Sequence, residues 1–337
     1  MTPQPSATQA LDTPLPTQPL TIMWTQTAVV VTTHLLAALA LFPWFFSWTG
    51  VILAVIGHHL FGCFGMTLGY HRLLTHRGFT CPLWFERVLA ILGTCCLQDS
   101  PARWVAVHRQ HHQFSDEQPD PHSPLVTFLW GHMGWLFADN REHNRVTFLD
   151  RYARDLLQDP FYMTLERNRV WLLVYIAHAV PFFLAGLLVG WWNSNSWLTG
   201  AQFGASLLVW GVFLRTVAVW HFTWSVNSLG HLFGYRNYST GDQSTNNWLV
   251  ALLADGEGWH NNHHAEPRAA AHGHRWWEFD FTWAMIRLLE MIGLAKNVIR
   301  PQCWNRVEHD ESSRHPKGSG VVPPTKLLDR RGARKAG

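Results

Sequence analysis

Four stretches of this chain stay apolar for long enough to cross a bilayer. Met23 to Phe46 carries no charge, and Pro43 with the 47–50 turn closes it. Val51 to Tyr70 follows at once, Val170 to Trp192 is a third run, and Gln202 to Val226 a fourth, interrupted by Arg215. At about 1.5 Å of rise per residue, each run reaches across roughly 30 Å of hydrocarbon. The pattern predicts an all-α membrane protein with four transmembrane helices in two hairpins, at about 23–46, 51–70, 170–192 and 202–226. Leu83 to Leu97 is a further apolar run, too short to span, and reads as an interfacial or re-entrant helix.

Between and after these runs the chain changes character. Residues 71–168 and 227–305 are polar, aromatic and rich in histidine, and they form a cap; with the spans they make one membrane domain, 23–305. Residues 1–22, dominated by Pro, Thr and Gln, and the basic segment 306–337 lack periodic apolar positions and are expected to be disordered tails. Arg72, Arg77, Arg167, Arg169 and Arg236 flank the span ends that face the cap, while the two hairpin turns opposite carry no Lys or Arg. The positive-inside rule then makes the cap and both termini cytoplasmic.

Composition agrees with that reading. Charged residues are only 15% of the 337, against roughly 25% in ordinary soluble domains. The 20 tryptophans suit interfacial belts. No signal peptide is evident in residues 1–20, so insertion is expected to begin with the first span. Five cysteines without C-x-x-C spacing suggest neither disulfides nor a zinc ribbon, and act as small apolar fillers. A net charge of +3, not gathered on one element, argues against nucleic acid as a partner.

The chemistry lies in the histidines. His260, His263 and His264 stand at i, i+3 and i+4, and His108, His111 and His112 repeat that spacing. On a helix each triad gathers on one face, and converging imidazoles gain from a metal what packing does not supply. His71 and His76 form a third cluster at i, i+5, about 140° apart on a regular helix. They share a metal only if the second span ends between them, near Tyr70. His231 follows the fourth span, and Asn227, one turn earlier, suits a metal-bound water. A single cluster reads as a structural zinc or a chance run; three clusters and His231 on one side of the membrane do not. Nine imidazoles exceed the needs of one ion, so two ions with four or five nitrogens each are expected. Imidazole alone does not choose among zinc, copper, iron and nickel. A membrane-edge site with an apolar channel favours iron activating dioxygen.

Other polar residues have plainer roles. Arg215 lies mid-membrane with no acid in any span, so carbonyl, Asn or His partners are expected. His58 and His59 lie too far down the second span to reach the metals. His122 and His132 either fix ligand imidazoles or pack the cap, while His221, His272 and His274 read as structural. Asp116, Glu117, Asp120 and Asp255 are expected beside the ligands or at caps rather than on the metals.

The segments GYHRLLTHRGF, HRQHHQFSDEQPDPHSP, FLWGHMGW, FLRTVAVWHFTWSVNSLGHLFGYRNY and GEGWHNNHHAEP resemble the membrane fatty-acyl desaturases of the stearoyl-CoA, delta-9 type, over about residues 49 to 298. The resemblance implies four transmembrane helices topped by a cytosolic helical cap that holds a di-iron centre. It implies that His71, His76, His108, His111, His112, His231, His260, His263 and His264 bind iron, with Asn227 acting through a water. Gln98, Trp104, Thr223 and Trp224 fall where that family lines a kinked acyl tunnel. The implied reaction uses O2 to place a cis double bond, at delta-9, in a long saturated acyl chain. Electrons would come from a separate carrier (ferredoxin, rubredoxin or a b-type cytochrome), since no haem module is fused. Ala106 and Val107 replace an Arg-Asp pair found in members acting on acyl-CoA, which brings an acyl-lipid forward beside acyl-CoA. Bacterial relatives often share this feature, so a bacterial inner membrane is expected. The alternatives are an acyl or alkane hydroxylase on the same di-iron platform and, further off, a membrane metal-binding or transport protein.

Overall fold

The computed structural model describes residues 10–304, and among them there is no β-strand, only isolated bridges. The elements in order are α1 (Trp24–Ala38), α2 (Trp48–Thr75), α3 (Leu83–Thr94), α4 (Pro101–Phe114), α5 (Phe128–His132), α6 (Val146–Leu157), α7 (Pro160–Glu166), α8 (Val170–Ser194), α9 (Trp197–His231), α10 (Trp248–Leu253), α11 (His260–Ala265) and α12 (Phe281–Met291). Among the described residues, four helical stretches are long and apolar enough to cross a membrane: Trp24–Leu41, Trp48–Thr75, Pro160–Ser194 and Trp197–His231.

Their bounds correct the sequence expectation. The first helix stops at Leu41 rather than residue 46, because Phe42 is extended ahead of Pro43. The second begins earlier, at Trp48, where the Ser47 hydroxyl accepts from the Gly50 amide at 3.0 Å. It also runs past Tyr70 to Thr75, and from His58 onward it is π-wound. The fourth is extended at both ends, to Trp197 and His231.

α8 and α9 lie along each other through glycines: a Cβ on Gly186 would stand 2.6 Å from the Gly204 Cα, so no larger residue fits that approach. α1 and α2 rest mainly on the 209–214 stretch of α9 rather than on one another. α3 lies along α2, where a Cβ on Gly65 would stand 2.4 Å from the Gly93 nitrogen, and it leaves Leu83, Trp84 and Val88 exposed. Arg215, 1% exposed, donates to the Cys95 carbonyl at 2.8 Å, meets His178 Nε2 at 2.8 Å and stacks over Phe61. The bundle thus supplies carbonyl and imidazole partners where it has no acid.

Residues 10–22, expected to be disordered, form a strap across the cap. Leu11 N donates to Leu125 O, Asp139 N to Thr21 O and Met23 N to Phe137 O, and Thr17 is buried. Its Pro residues favour an extended path whose backbone groups find partners outside any helix. The segment 306–337, also expected to be disordered, lies outside the described residues.

Candidate metal centre

The π winding solves the problem of His71 and His76. The His76 amide donates to the His71 carbonyl at 3.2 Å, an i to i+5 bond, so five residues complete about one turn. The two rings meet with centroids 4.8 Å apart. The helix does not have to end at Tyr70 for the pair to share a site; a wider helix serves instead.

The two triads do not each converge on one ion either. α4, started by the Ser100 cap and Pro101, points His108 and His112 one way and His111 about 100° aside. α11 points His260 and His264 together and His263 aside. The result is two groups of ligand atoms, each within 4.8 Å: His71, His76, His108, His112 and His263 in one, His111, His231, His260 and His264 in the other. Each HxxHH motif therefore gives its i, i+4 pair to one group and its remaining histidine to the other.

Within the groups, Nε2 atoms face one another: His71 and His263 at 3.1 Å, His112 and His263 at 2.9 Å, His108 and His112 at 3.1 Å, His231 and His260 at 3.0 Å. Burial first, and then the neighbouring imidazoles, hold His108, His112, His260 and His263 well below the usual histidine range. These rings are neutral, so lone pairs converge with too few protons to bridge them. Among the rings of the two groups, the buried Nε2 atoms of His76, His111 and His264 have no hydrogen-bond partner. A cation between the rings satisfies both conditions, and the donor set fits borderline metals such as iron.

Carboxylates orient the rings from behind. His71 Nδ1 meets Glu257 at 2.6 Å, His111 Nδ1 meets Asp120 at 3.0 Å, His231 Nδ1 meets Asp116 at 2.8 Å, and His264 Nδ1 meets Asp242 at 2.5 Å. Each fixes the tautomer that turns Nε2 inward. Burial alone would raise these acids; nearby histidines and donated hydrogen bonds overcome it and hold Asp116, Asp120, Asp242 and Glu257 below the usual carboxylate range. Sequence reading placed Asp116 and Asp120 near the ligands but missed Asp242 and Glu257. Glu257 had a signal in its GEGWH neighbourhood; Asp242, 22 residues from its histidine, had none.

α11 is only six residues long, and side chains hold it. Asn261 Oδ1 accepts from the Asn237 and Tyr238 amides at 2.8 Å each. Asn262 donates to Glu278 at 2.7 Å and to the His272 carbonyl at 2.8 Å. Arg72, 1% exposed, ties Glu257 to Asp280 with bonds of 2.8 to 3.1 Å.

One cavity runs past both groups. His71, His108, His260 and Asn227 line it, and so do all four expected tunnel residues, Gln98, Trp104, Thr223 and Trp224. Gln98 Nε2 donates to Thr223 Oγ1 at 3.3 Å, and Trp104 stacks on His108 at 5.0 Å. Its lining also includes Thr17, Arg103, Asn140, His143 and Asn144 from the strap and cap, and Gly62, Met66, His58 and Asp255. His58 and His59 both pair with Asp255, at 3.3 and 3.0 Å, away from the two groups. His122 lies against His111, and His272 against His263, with ring centroids 4.4 Å apart in each case. His132 bonds Ser228 and His221, and Tyr238 bonds His274.

Comparison with known proteins follows the same lines. A family model described as fatty acid desaturase matches residues 44–295. The chain is 43% identical over 277 residues to sn-1 stearoyl-lipid 9-desaturase of Anabaena variabilis, covering 82% of this chain and 94% of that one. It is 42% identical to sn-2 palmitoyl-lipid 9-desaturase of Nostoc sp., covering 79% and 86%. It is 41% identical to Acyl-CoA 5-desaturase AL21 of Anemone leveillei, covering 77% and 74%.

Proposed function

Because the chain belongs to the fatty acid desaturase family and is a membrane enzyme that desaturates fatty acids, we propose that it places a cis double bond, at delta-9, in a saturated acyl chain carried on a membrane glycerolipid. The observation that carries this reading is a cavity lined by members of two groups of converging imidazole nitrogens. His71, His76, His108, His112 and His263 would hold one iron, and His111, His231, His260 and His264 the other, with Asn227 acting through a water.

Two bound irons would supply the power to activate O2, so that two hydrogens leave adjacent methylenes and, with two electrons and two protons, two waters form. The protein's own part is position and exclusion. Trp104, Thr223 and Trp224 wall the acyl chain beside the nitrogens and keep bulk water out. The Gln98 to Thr223 bond fixes one side of the passage at that level. Glu257, Asp116, Asp120 and Asp242 keep the ligand rings from turning.

Three observations favour a lipid carrier over CoA. Two of the relatives above are named for lipid-bound substrates. Ala106 and Val107 offer no charge before the second triad. Among the described residues lining the cavity, Arg103 is the sole Lys or Arg, and Glu166 already neutralises it at 2.8 Å. The four apolar helices support a membrane protein; the arrangement proposed for it is two hairpins in a bacterial inner membrane, with the cap and both termini cytoplasmic by the positive-inside rule, and reducing power would come from a separate ferredoxin, rubredoxin or b-type cytochrome.

The test is expression in a host that lacks such an enzyme. Fatty acids are then profiled by lipid class, with the double bond located. New cis-delta-9 monoenes in glycerolipids are expected. Hydroxy acids would replace this reading with a hydroxylase, and monoenes confined to the CoA pool would move the carrier.

A further inference from the structure

The two groups of histidines differ sharply in the charge behind them. In the four-histidine group, three of the four rings give Nδ1 to an aspartate: His111 to Asp120, His231 to Asp116 and His264 to Asp242. The other bonds to these acids come from neutral donors, among them the Ser123 hydroxyl, the Gln243 amide and the Ser244 amide. In the five-histidine group the ring–carboxylate contact among the described residues is His71 with Glu257, and Arg72 grips that carboxylate twice, at 2.9 and 3.1 Å. One position thus has three carboxylates behind it with no guanidinium among their partners, while the other has Glu257, which shares Arg72 with Asp280 in a trio of net charge about −1.

A carboxylate behind an imidazole raises the ring's basicity as a ligand, and nearby negative charge favours the more highly charged ion. We propose that the two metal positions are unequal: the His111, His231, His260 and His264 position fills first and keeps its ferric ion longer. This rests on the two-iron reading above. A one-electron donor protein then reduces the five-histidine ion first, Fe3+ taking one electron to Fe2+, and the four-histidine ion second; no bond breaks and no proton moves. Asp116, Asp120 and Asp242 are positioning residues, acting through the rings they hold.

The test uses full-length, metal-free protein in lipid nanodiscs, titrated anaerobically with Fe2+. Two steps are expected, the first at least tenfold tighter. Asp242→Asn should weaken that first step by about 10–100-fold and leave the second within threefold, while Glu257→Gln should do the reverse. Should Asp242→Asn fail to fold, Asp116→Asn takes its place; the wild-type titration needs no variant. In parallel, oxidised protein loaded with 57Fe receives one electron per two irons and is read by Mössbauer spectroscopy. A single ferrous doublet is expected, altered by Glu257→Gln and not by Asp242→Asn. One binding step for two equal ions, or two ferrous doublets of equal area, would overturn the inequality. No iron bound at all would overturn the two-iron reading and the inequality with it.

Discussion

α4 and α11 carry the same histidine spacing and are built in opposite ways. α4 is 14 residues long, starts on a Ser cap with Pro in its first turn, and buries Ala102, Val105 and Ala106 in the core. It would be drawn as a helix from its sequence alone. α11 is a single turn and a half, below any length stable by itself, and its shape is imposed by Asn237, Asn246 and Glu278 gripping Asn261 and Asn262. One presents its ligands from a local helix, the other from a polar network. Their pairs also fall in different groups of ligand atoms. Equal spacing does not mean equal assignment.

The largest effect that could break this comparison concerns assignment. His111→Ala should resemble His260→Ala and differ from its own neighbour His112→Ala. All three should drop activity by two orders of magnitude or more, because a ligand in a buried site has no substitute. Iron analysis separates them: His111→Ala and His260→Ala should lose the ion of the four-histidine group preferentially, and His112→Ala the other. If His111→Ala and His112→Ala lost the same ion, the division into two groups would be wrong.

A smaller effect tests how each helix is held. Asn262→Ala leaves the His272 carbonyl without its donor and the Asn246 side-chain amide without its acceptor in a fully buried setting, and should cost about 2–4 kcal/mol. Ser100→Ala removes a cap and should cost about 1 kcal/mol. Denaturant midpoints of the metal-free protein measure both; equal costs would erase the contrast.

The smallest effect is a pH dependence on the α4 side. Asp155 anchors α4 through Arg109, at 2.7 Å, and also binds Arg77. Burial pushes its carboxyl up, but the hydrogen bonds from Arg109 and Arg77 win and bring it down to about 2 from an ordinary 3.8. A lowered folded pKa means stability present above 3.8 and lost as pH falls through about 2. The group is 42% exposed, so solvent screening leaves only a few tenths of a kcal/mol. Asp155→Asn should therefore lower stability slightly at neutral pH and match the wild type only once the pH is well below about 2; a gap that persisted there would rule the carboxylate out as its source.

Much of this was legible in the residues. The four apolar runs located the long helices to within about five residues at each end, because hydrocarbon demands continuous apolar sequence. The nine histidines were named because imidazole clustering has few other uses. The misses have physical causes of their own. The π winding of α2 depends on how α3 and α9 pack against it, with Gly65 and Gly93 touching, and no local propensity encodes that. The strap at residues 10–22 has no periodicity, because its hydrogen bonds go to a surface 100 residues away.

By itself, then, the sequence determined which segments are apolar enough to cross a membrane, and which side chains bring metal chemistry to one end of them. Only the tertiary structure decided which histidine joins which group of ligand atoms, that Asp242 and Glu257 stand behind two of them, and that Arg72 pairs with Glu257 and Asp280 while three aspartates have no guanidinium partner. Burial and helical period are properties of neighbours along the chain. Partnership among imidazoles and carboxylates depends on contacts between segments 20 to 200 residues apart, which form only when the helices come together.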